Sequence, residues 1–329
     1  MDVFERRYTS SLQVDPVRAT IGLSAPGSNY AWALFGVFVI AALLLAAAAH
    51  SRPKGMRAFH YLGMAVLVTT TISYAGLAAN LSYTPVPVEF VRSGSRGAAQ
   101  IAGGAQVPPT RSIFYGRYID WIIVTPLLLL TLLLNTGFTL SRIFIILYFQ
   151  IVMIACGLIG ALIPTRYKWA FYAFGCASLF YILWNVIFPG RKSAYRLGDD
   201  VGRTYTGHTL ALGFLFTLYP LCWALCEGGN VLTVTSEFIW YGVLDLLVKV
   251  FWLFSFLFSI EDVPYDIYGF RSSKVTDVAP SSERGVRSPS SSAPARRDLG
   301  SPSSEKRAQG KTSATSGAQP SAGTTAAAS

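Results

Sequence analysis

The residues best suited to chemistry are ionisable side chains that lie inside long apolar segments. The segment Asp245-Leu-Leu-Val-Lys249 holds a carboxylate and an amine four residues apart, and Arg117-Tyr-Ile-Asp120-Trp holds a guanidinium and a carboxylate three residues apart. Residues at these spacings share one face of a helix. The amine of a desolvated lysine can condense with an aldehyde, so Lys249 is a candidate for a covalent linkage to a ligand.

Lys249 lies near the middle of its apolar segment and is expected to need counterions. A charged side chain at the centre of a bilayer costs about 2.5–3.5 kcal/mol or more, and Asp120 and Asp245 are the carboxylates available to offset that cost. The alternative interpretation is a structural ion cluster that keeps two helices in register.

Aromatic residues are frequent in the segments around this lysine. They are Trp121, Tyr172, Phe216, Tyr219, Trp223 and Tyr241. In membrane proteins such residues usually pack or anchor at the interface. Beside a reactive lysine they could equally line a slot for a long, flat, apolar ligand.

Seven apolar segments must position these residues. Of the 329 residues, 52% are hydrophobic and 13% charged, whereas soluble domains carry about 25% charge. Each segment approaches the roughly 20 residues that a helix needs to cross a bilayer. The segments are residues 30–49, 59–82, 113–134, 141–163, 168–189, 207–226 and 233–260. They predict an all-α membrane protein, a seven-transmembrane-helix bundle in a lipid bilayer, and they exclude a soluble enzyme.

The location of the positive charge argues against a nucleic-acid partner. The formal net charge is +10, but nine Lys and Arg residues follow residue 270 and most of the others lie in short loops. The Lys and Arg residues of the loops are equally numerous on the two sides and do not decide the orientation. If the cations of the long second loop are left out and those of the tail are added, the count predicts an extracellular N-terminus and a cytoplasmic C-terminus. The expected division is an extracellular segment 1–29 without a signal peptide, a transmembrane domain 30–262 and a basic tail 263–329. The tail is expected to be disordered because it lacks large apolar side chains.

The four cysteines lie in apolar segments and are expected to be buried hydrophobes rather than metal ligands.

Taken together, the motifs resemble those of the microbial rhodopsins. The matching stretches are Arg117-Tyr-Ile-Asp120-Trp121, Thr125-Pro126-Leu-Leu-Leu, Tyr219-Pro220-Leu-Cys-Trp223 and Asp245-Leu-Leu-Val-Lys249. The resemblance extends over all seven segments. Glu227-Gly-Gly-Asn and Tyr167-Lys-Trp169 are most similar to the fungal branch close to bacteriorhodopsin.

The resemblance implies a fold, a cofactor and a set of roles. Lys249 would carry all-trans retinal, covalently bound as a protonated Schiff base, with Asp120 and Asp245 as counterions and Tyr74 close to them. Asp120 would be the primary proton acceptor, and Arg117 would couple that acceptor to proton release. The matching pocket positions are Tyr118, Trp121, Thr125, Leu128, Met153, Gly157, Tyr172, Gly175, Phe216, Tyr219, Pro220, Trp223 and Lys249.

Two glutamates match the proton-release group of the family's pumps. Glu237 occupies the position of the release-group glutamate, and Glu227 falls near the position of its partner. Two carboxyls close together can share a proton. An exposed acidic loop is the alternative interpretation.

Thr131 is the main departure from efficient outward pumps. It follows Asp120 by eleven residues, about 16 Å along the helix and on nearly the same face, where such pumps hold a carboxylic acid that returns a proton to the Schiff base. A threonine cannot deliver a proton at neutral pH. Val124 stands where pumps usually have a threonine that hydrogen-bonds the acceptor, so we expect altered proton binding at Asp120, and Gln150 replaces an acid.

These departures leave two main functional classes, neither of them enzymatic. One is light-driven outward proton transport in which the proton returns slowly. The other is a sensory rhodopsin with little net transport, which would allow a cytoplasmic signalling partner on the tail. Either class allows a homo-oligomer, and the plasma membrane is the expected location. A third class, a non-photoactive membrane protein, would be established by failure to bind retinal.

Overall fold

A computed structural model of the chain describes residues 10–53, 56–91, 93, 96–104, 107–261, 263 and 265–268. Nearly all of the predicted tail, residues 263–329, lies outside the described residues. The same holds for residues 1–9 of the predicted N-terminal segment.

Seven long helices, α1 to α7, form the membrane domain. In chain order they are Ala25–Ser51, Ala58–Ala78, Tyr115–Leu133, Leu140–Leu162, Lys168–Ala194, Asp199–Gly228 and Val234–Ser259. Each is long and apolar enough to cross a membrane, so the prediction of an all-α seven-helix bundle is confirmed.

Two helices begin earlier than the apolar pattern predicted. Helix α1 begins at Ala25 rather than at residue 30, because Ser24 accepts a hydrogen bond from the backbone N–H of Gly27 and caps the helix. Helix α6 begins at Asp199 rather than at residue 207, with acidic residues in its first turn. Acidic side chains favour a helix N-terminus, and such polar turns are invisible to a search for apolar segments.

The outer faces of the helices carry exposed apolar side chains. Examples are Leu43 on α1, Ile72 on α2, Phe144 on α4 and Phe214 on α6. A soluble domain does not expose so much apolar surface. These faces are therefore suited to contact with lipid tails.

A two-stranded hairpin covers one end of the bundle, which is called the hairpin end below. Strand β1 (Thr84–Pro87) pairs antiparallel with β2 (Thr110–Ile113), so that Val86 lies opposite Arg111. Ile21 forms a further bridge to Arg111. The segment before α1 and the connection between α2 and α3 are therefore tied together at this end.

Two transmembrane helices contain wide π-type turns at positions of chemical interest. Helix α7 widens over Leu247–Trp252, which contains Lys249, and α6 widens over Ala224–Gly228, which contains Glu227. Single π turns inside α-helices occur frequently at functional sites. Each of these turns re-aims an ionisable side chain toward the interior.

Candidate functional site

The amine of Lys249 lies between two carboxylates in the interior of the bundle. Its Nζ donates a hydrogen bond to Oδ2 of Asp120 on α3 and lies 3.2 Å from Oδ2 of Asp245 on its own helix. All three side chains are at most 2% exposed. Burying an ion is tolerated only when it is paired and its remaining hydrogen-bonding capacity is used, and the pair of carboxylates meets the first condition.

Hydroxyl groups meet the second condition. Oδ1 of Asp120 accepts a hydrogen bond of 3.1 Å from Thr70 on α2. Tyr74 and Tyr219 each donate to Asp245 over 2.8 Å, to Oδ2 and Oδ1 respectively. Every carboxylate oxygen of the cluster therefore has a donor.

Val124 does not leave the Asp120 carboxylate without a hydroxyl partner. It lies fully buried in the apolar core, while the hydroxyl that contacts Asp120 comes from Thr70 on the neighbouring helix. The hydrogen bond expected to be missing from α3 is thus supplied by α2.

A cavity lined mainly by aromatic side chains opens beside this cluster. Its lining includes eleven of the thirteen pocket positions derived from the resemblance: Tyr118, Trp121, Thr125, Met153, Gly157, Tyr172, Gly175, Phe216, Tyr219, Pro220 and Trp223. The other two lie elsewhere, since Leu128 is buried in the apolar core and Lys249 points to the carboxylates. Tyr219 connects the two regions, because its ring lines the cavity while its hydroxyl contacts Asp245.

The lining of the cavity suits a flat, apolar ligand. It consists mainly of aromatic and apolar side chains, as is usual in ligand pockets. A Cβ added at Gly157 would meet the ring of Tyr118 at 3.4 Å, and one at Gly175 would meet the carbonyl of Met153 at 3.5 Å. Both distances are ordinary van der Waals contacts, so these positions have room for a Cβ but lie close against their neighbours.

Two polar side chains on one wall of the cavity hydrogen-bond to each other. Gln150 donates to the hydroxyl of Thr125 over 2.8 Å, and that hydroxyl donates to the carbonyl of Trp121. This chain of hydrogen bonds fixes α4 against α3 beside the cavity. Gln150, which replaces an acid, therefore has a structural partner.

Toward the hairpin end, Arg117 pairs with Glu237 rather than with Asp120. Its Nη1 donates to Oε1 of Glu237, and its guanidinium lies 4.6 Å from the ring centroid of Tyr241 and 4.9 Å from that of Phe238. Aromatic faces stabilise a guanidinium by cation–π attraction. Arg117 thus connects the turn of α3 that carries Asp120 to a glutamate near the hairpin end.

Glu237 also pairs with a second arginine, Arg111 on β2. Nη2 of Arg111 donates to Oε2 of Glu237 over 2.6 Å, and both side chains are 1% exposed. Burial alone would lower the pKa of the Arg111 guanidinium, but the charge of Glu237, the hydrogen bond to Glu237 and the charge of Glu227 together outweigh this effect, so the pKa of Arg111 is raised. One carboxylate therefore accepts hydrogen bonds from two charged guanidinium groups.

Glu227 lies close to Glu237 and is also buried, so the alternative of an exposed acidic loop is wrong for both glutamates. Its Oε1 accepts a hydrogen bond of 3.1 Å from the hydroxyl of Tyr118, and its backbone carbonyl accepts one from Lys168. Cys226 Sγ and one oxygen of each glutamate lie within 4.8 Å of one another. The two guanidinium charges on Glu237 oppose a further cation there.

Thr131 lies on the other side of the lysine from the hairpin end. It is fully buried, and its hydroxyl donates to the backbone carbonyl of Leu127 over 2.8 Å. This local bond occupies the hydroxyl proton within its own helix.

Sequence reasoning missed two residues of the site. Arg111 lies in the connection between two apolar segments, and no local pattern connects a residue of β2 with Glu237. Thr70 precedes Tyr74 by four residues and therefore lies on the same helix face. Because the resemblance already places Tyr74 close to the carboxylates, this spacing could have identified Thr70.

The fold and the site together define a seven-helix integral membrane protein with a buried lysine between two carboxylates. The chain belongs to the bacteriorhodopsin-like protein family, whose model matches residues 27–261. Membership in this family of microbial rhodopsins implies a retinal chromophore.

Several known proteins are similar to the chain over most of its length. Protein FDD123 of Trametes versicolor is 42% identical, over 82% of this chain and 89% of that protein. Opsin-like protein carO of Fusarium fujikuroi is 37% identical, over 74% and 78%. The structure of the light-driven proton pump rhodopsin CsR of Coccomyxa subellipsoidea is 32% identical, with a TM-score of 0.66, over 73% and 99%. Solved structures of this fold include light-driven pumps for protons and for chloride, so the fold alone leaves the ion open.

Proposed function

We propose that the protein is a light-driven outward proton transporter in which the proton returns slowly to the lysine nitrogen. The observation that carries the proposal is the direct contact between Lys249 Nζ and Asp120 Oδ2. This contact is followed toward the hairpin end by Arg117, Glu237 and Glu227. The similarity to the proton pump of Coccomyxa subellipsoidea supports the same assignment.

We further propose that all-trans retinal is bound covalently as a protonated Schiff base at Lys249. The ligand supplies light absorption and a change of shape on isomerisation, and the aromatic cavity orients it. The hairpin end faces the outside of the cell, so the N-terminus is extracellular and the C-terminus cytoplasmic. The plasma membrane is the proposed location.

The residues around the lysine nitrogen give the transfer its direction. Asp120 Oδ2 is the nearest acceptor for a proton from that nitrogen, while Thr70 holds the other oxygen of the acceptor. Both oxygens of Asp245, the other carboxylate near the nitrogen, accept hydrogen bonds from tyrosine hydroxyls. Asp120 and Glu237 both attract the positive charge of Arg117. When Asp120 takes up the proton it loses its negative charge, so Arg117 is then attracted more strongly toward Glu237. This change alters the electrostatic environment of the two buried glutamates at the hairpin end.

Proton return is expected to be slow because Thr131 occupies the position from which a carboxylic acid would act. Its hydroxyl is not an acid at neutral pH, and it already donates to Leu127. The returning proton then comes from bulk water. Its rate should fall as the cytoplasmic pH rises.

Light-induced pH changes of cells that express the protein with retinal test the transport proposal. We expect illumination to acidify the medium, and a protonophore to abolish the change. Cells that express Asp120→Asn serve as the control, since this variant removes the acceptor and should form pigment without acidifying the medium. Pigmented cells that leave the medium unchanged would contradict transport.

Thr131 also favours a second candidate function, a sensory rhodopsin with little net transport. Slow proton return prolongs the light-activated state, which suits signalling. A pigmented protein that cycles over seconds under single flashes, and moves no net protons, would support this candidate. A cytoplasmic partner would then be sought on residues 263–329.

A further inference from the structure

Arg111 lies outside the seven helices, and the transport steps described above do not use it. Its guanidinium is nevertheless buried and makes three hydrogen bonds. Beside the bond to Glu237, Nη1 donates to Oδ1 of Asn230 over 2.5 Å and to the carbonyl of Leu232 over 2.7 Å. Such a set of charge-assisted bonds holds a guanidinium firmly in one orientation.

The backbone around Arg111 is fixed as well. Arg111 pairs with Val86 of β1 and forms a further bridge to Ile21, which precedes α1. Asn230 adopts a left-handed conformation with φ +49°, and its amide donates to the carbonyl of Phe90 over 3.1 Å. Arg111 is therefore held by several separate segments of the chain.

Arg117 is held less tightly than Arg111. In the part of the chain that the structure describes, its guanidinium donates to Glu237 and otherwise faces aromatic rings. Rotation of its side chain would break one hydrogen bond. Glu237 would then still retain its bond to Arg111.

The two glutamates have different partners. Glu237 accepts from two cations, and a neutral carboxyl there would leave two buried positive charges without compensation, which is costly. In the part of the chain that the structure describes, Oε1 of Glu227 accepts from the phenol of Tyr118 and its Oε2 has no hydrogen-bond partner. Burial without a directly bonded cation favours the protonated form of a carboxyl.

We propose that Arg111 is a positioning residue that keeps Glu237 ionised wherever Arg117 points, so that the proton released at the hairpin end comes from Glu227. The inference rests on the proposed outward transport, which requires a releasable proton at this end. On release, the Glu227 carboxyl gives its proton to bulk water, and the resulting carboxylate later regains a proton from Asp120. Glu237 remains a carboxylate throughout.

Other titratable groups face the two glutamates from every neighbouring element. They are Arg111 on β2, Arg117 and Tyr118 on α3, Lys168 on α5, Cys226 on α6 and Tyr241 on α7. Lys168 donates to the backbone carbonyl of Glu227 rather than to its carboxyl. Its charge is therefore not hydrogen-bonded to either glutamate side chain.

Infrared difference spectra of the dark pigment in lipid, recorded at low and high pH, test which glutamate holds the proton. We expect the unsubstituted protein to lose one protonated-carboxyl C=O signal as the pH rises. The signal should be absent in Glu227→Gln and present in Glu237→Gln. Any other pattern, including a signal lost in both variants, would overturn the proposal.

Variants of Arg111 test its positioning role. Arg111→Gln should add a second protonated-carboxyl signal, and the further change Glu237→Gln should remove it. Arg111→Lys should restore the spectrum of the unsubstituted protein. Arg166→Gln is the matched control, because this exposed arginine at the same end pairs with Glu89 and should leave the spectrum unchanged. An unchanged spectrum in pigmented Arg111→Gln would overturn the role of Arg111.

The two glutamate variants decide the location of the proton even if Arg111→Gln fails to fold. The dark spectra need only pigment and no transport. Pigment that does not acidify the medium would overturn the transport proposal, while the infrared pattern would still report the proton location independently.

Discussion

Thr70 on α2 donates a hydrogen bond of 3.1 Å to Asp120 on α3, to the carboxylate oxygen that Lys249 does not contact. The bond spans two helices and lies in the buried interior. It fixes the carboxylate plane, so that the other oxygen remains directed at the lysine nitrogen. The geometry of the proposed proton acceptor thus depends on the packing of a neighbouring helix.

Replacing Thr70 by the isosteric valine should destabilise the pigment. Thr70→Val leaves Oδ1 of Asp120 without its donor, and an unsatisfied buried polar group costs about 1–3 kcal/mol. We expect faster loss of colour on heating. The matched control is Thr71→Val, because in the part of the chain that the structure describes the hydroxyl of Thr71 donates to the carbonyl of Leu67 in its own helix. Equal rates of bleaching in the two variants would contradict a special role for Thr70.

The central cluster could be predicted from the sequence because residue type and helical spacing identified it. A lysine inside a long apolar segment requires carboxylates, and Asp120 and Asp245 were the available partners. The number and length of the apolar segments also predicted the number of helices. These features depend on local sequence and on the high cost of burying a charge.

Contacts between separate segments could not be predicted in the same way. Arg111 reaches Glu237 because the hairpin register places it opposite Val86, and no local pattern encodes that register. The π-type turn at Lys249 could not be recognised in the sequence either, since one extra residue in a turn does not interrupt the run of apolar residues. Tertiary packing determined both features.

Lys249→Ala should abolish visible absorbance after addition of retinal. The amine is the proposed point of covalent attachment, and alanine cannot form the linkage. Absorption spectra of the purified protein, with circular dichroism to verify the helices, measure the effect. Lys192→Ala is the control, since Lys192 is exposed at the end of α5 and its loss should leave the colour intact. Persistent colour in Lys249→Ala would disprove the linkage.

A large side chain at Gly157 should obstruct the cavity. A Cβ at this position already lies 3.4 Å from the ring of Tyr118, so the rest of a leucine side chain in Gly157→Leu would extend into the space proposed for retinal. We expect at least a several-fold loss of pigment in titrations with retinal. Gly36→Leu is the control, because a Cβ at Gly36 meets no atom within 4 Å. Equal pigment yield from both variants would show that the ligand lies elsewhere.

Thr131→Asp should speed the return of the proton after a flash at neutral pH. A carboxylic acid at this buried position could supply the proton from within the protein, and positioned general acids contribute about 10²–10⁴-fold to proton transfer. We expect the dark absorbance to recover about tenfold faster or more. In the unsubstituted protein the proton comes from bulk water, so recovery should slow about tenfold per pH unit, because the rate is then proportional to the proton concentration. Thr131→Asp should flatten this dependence.

Thr131→Asn tests whether an effect of Thr131→Asp comes from the carboxylic acid or from the size of the new side chain. The asparagine side chain resembles that of aspartic acid in shape but carries no transferable carboxyl proton. It should therefore recover as slowly as the unsubstituted protein and keep the steep dependence on pH. Faster recovery in both variants would mean that loosening of the packing around Thr131, which is fully buried, admits water. Unchanged recovery in Thr131→Asp would mean that another step limits proton return.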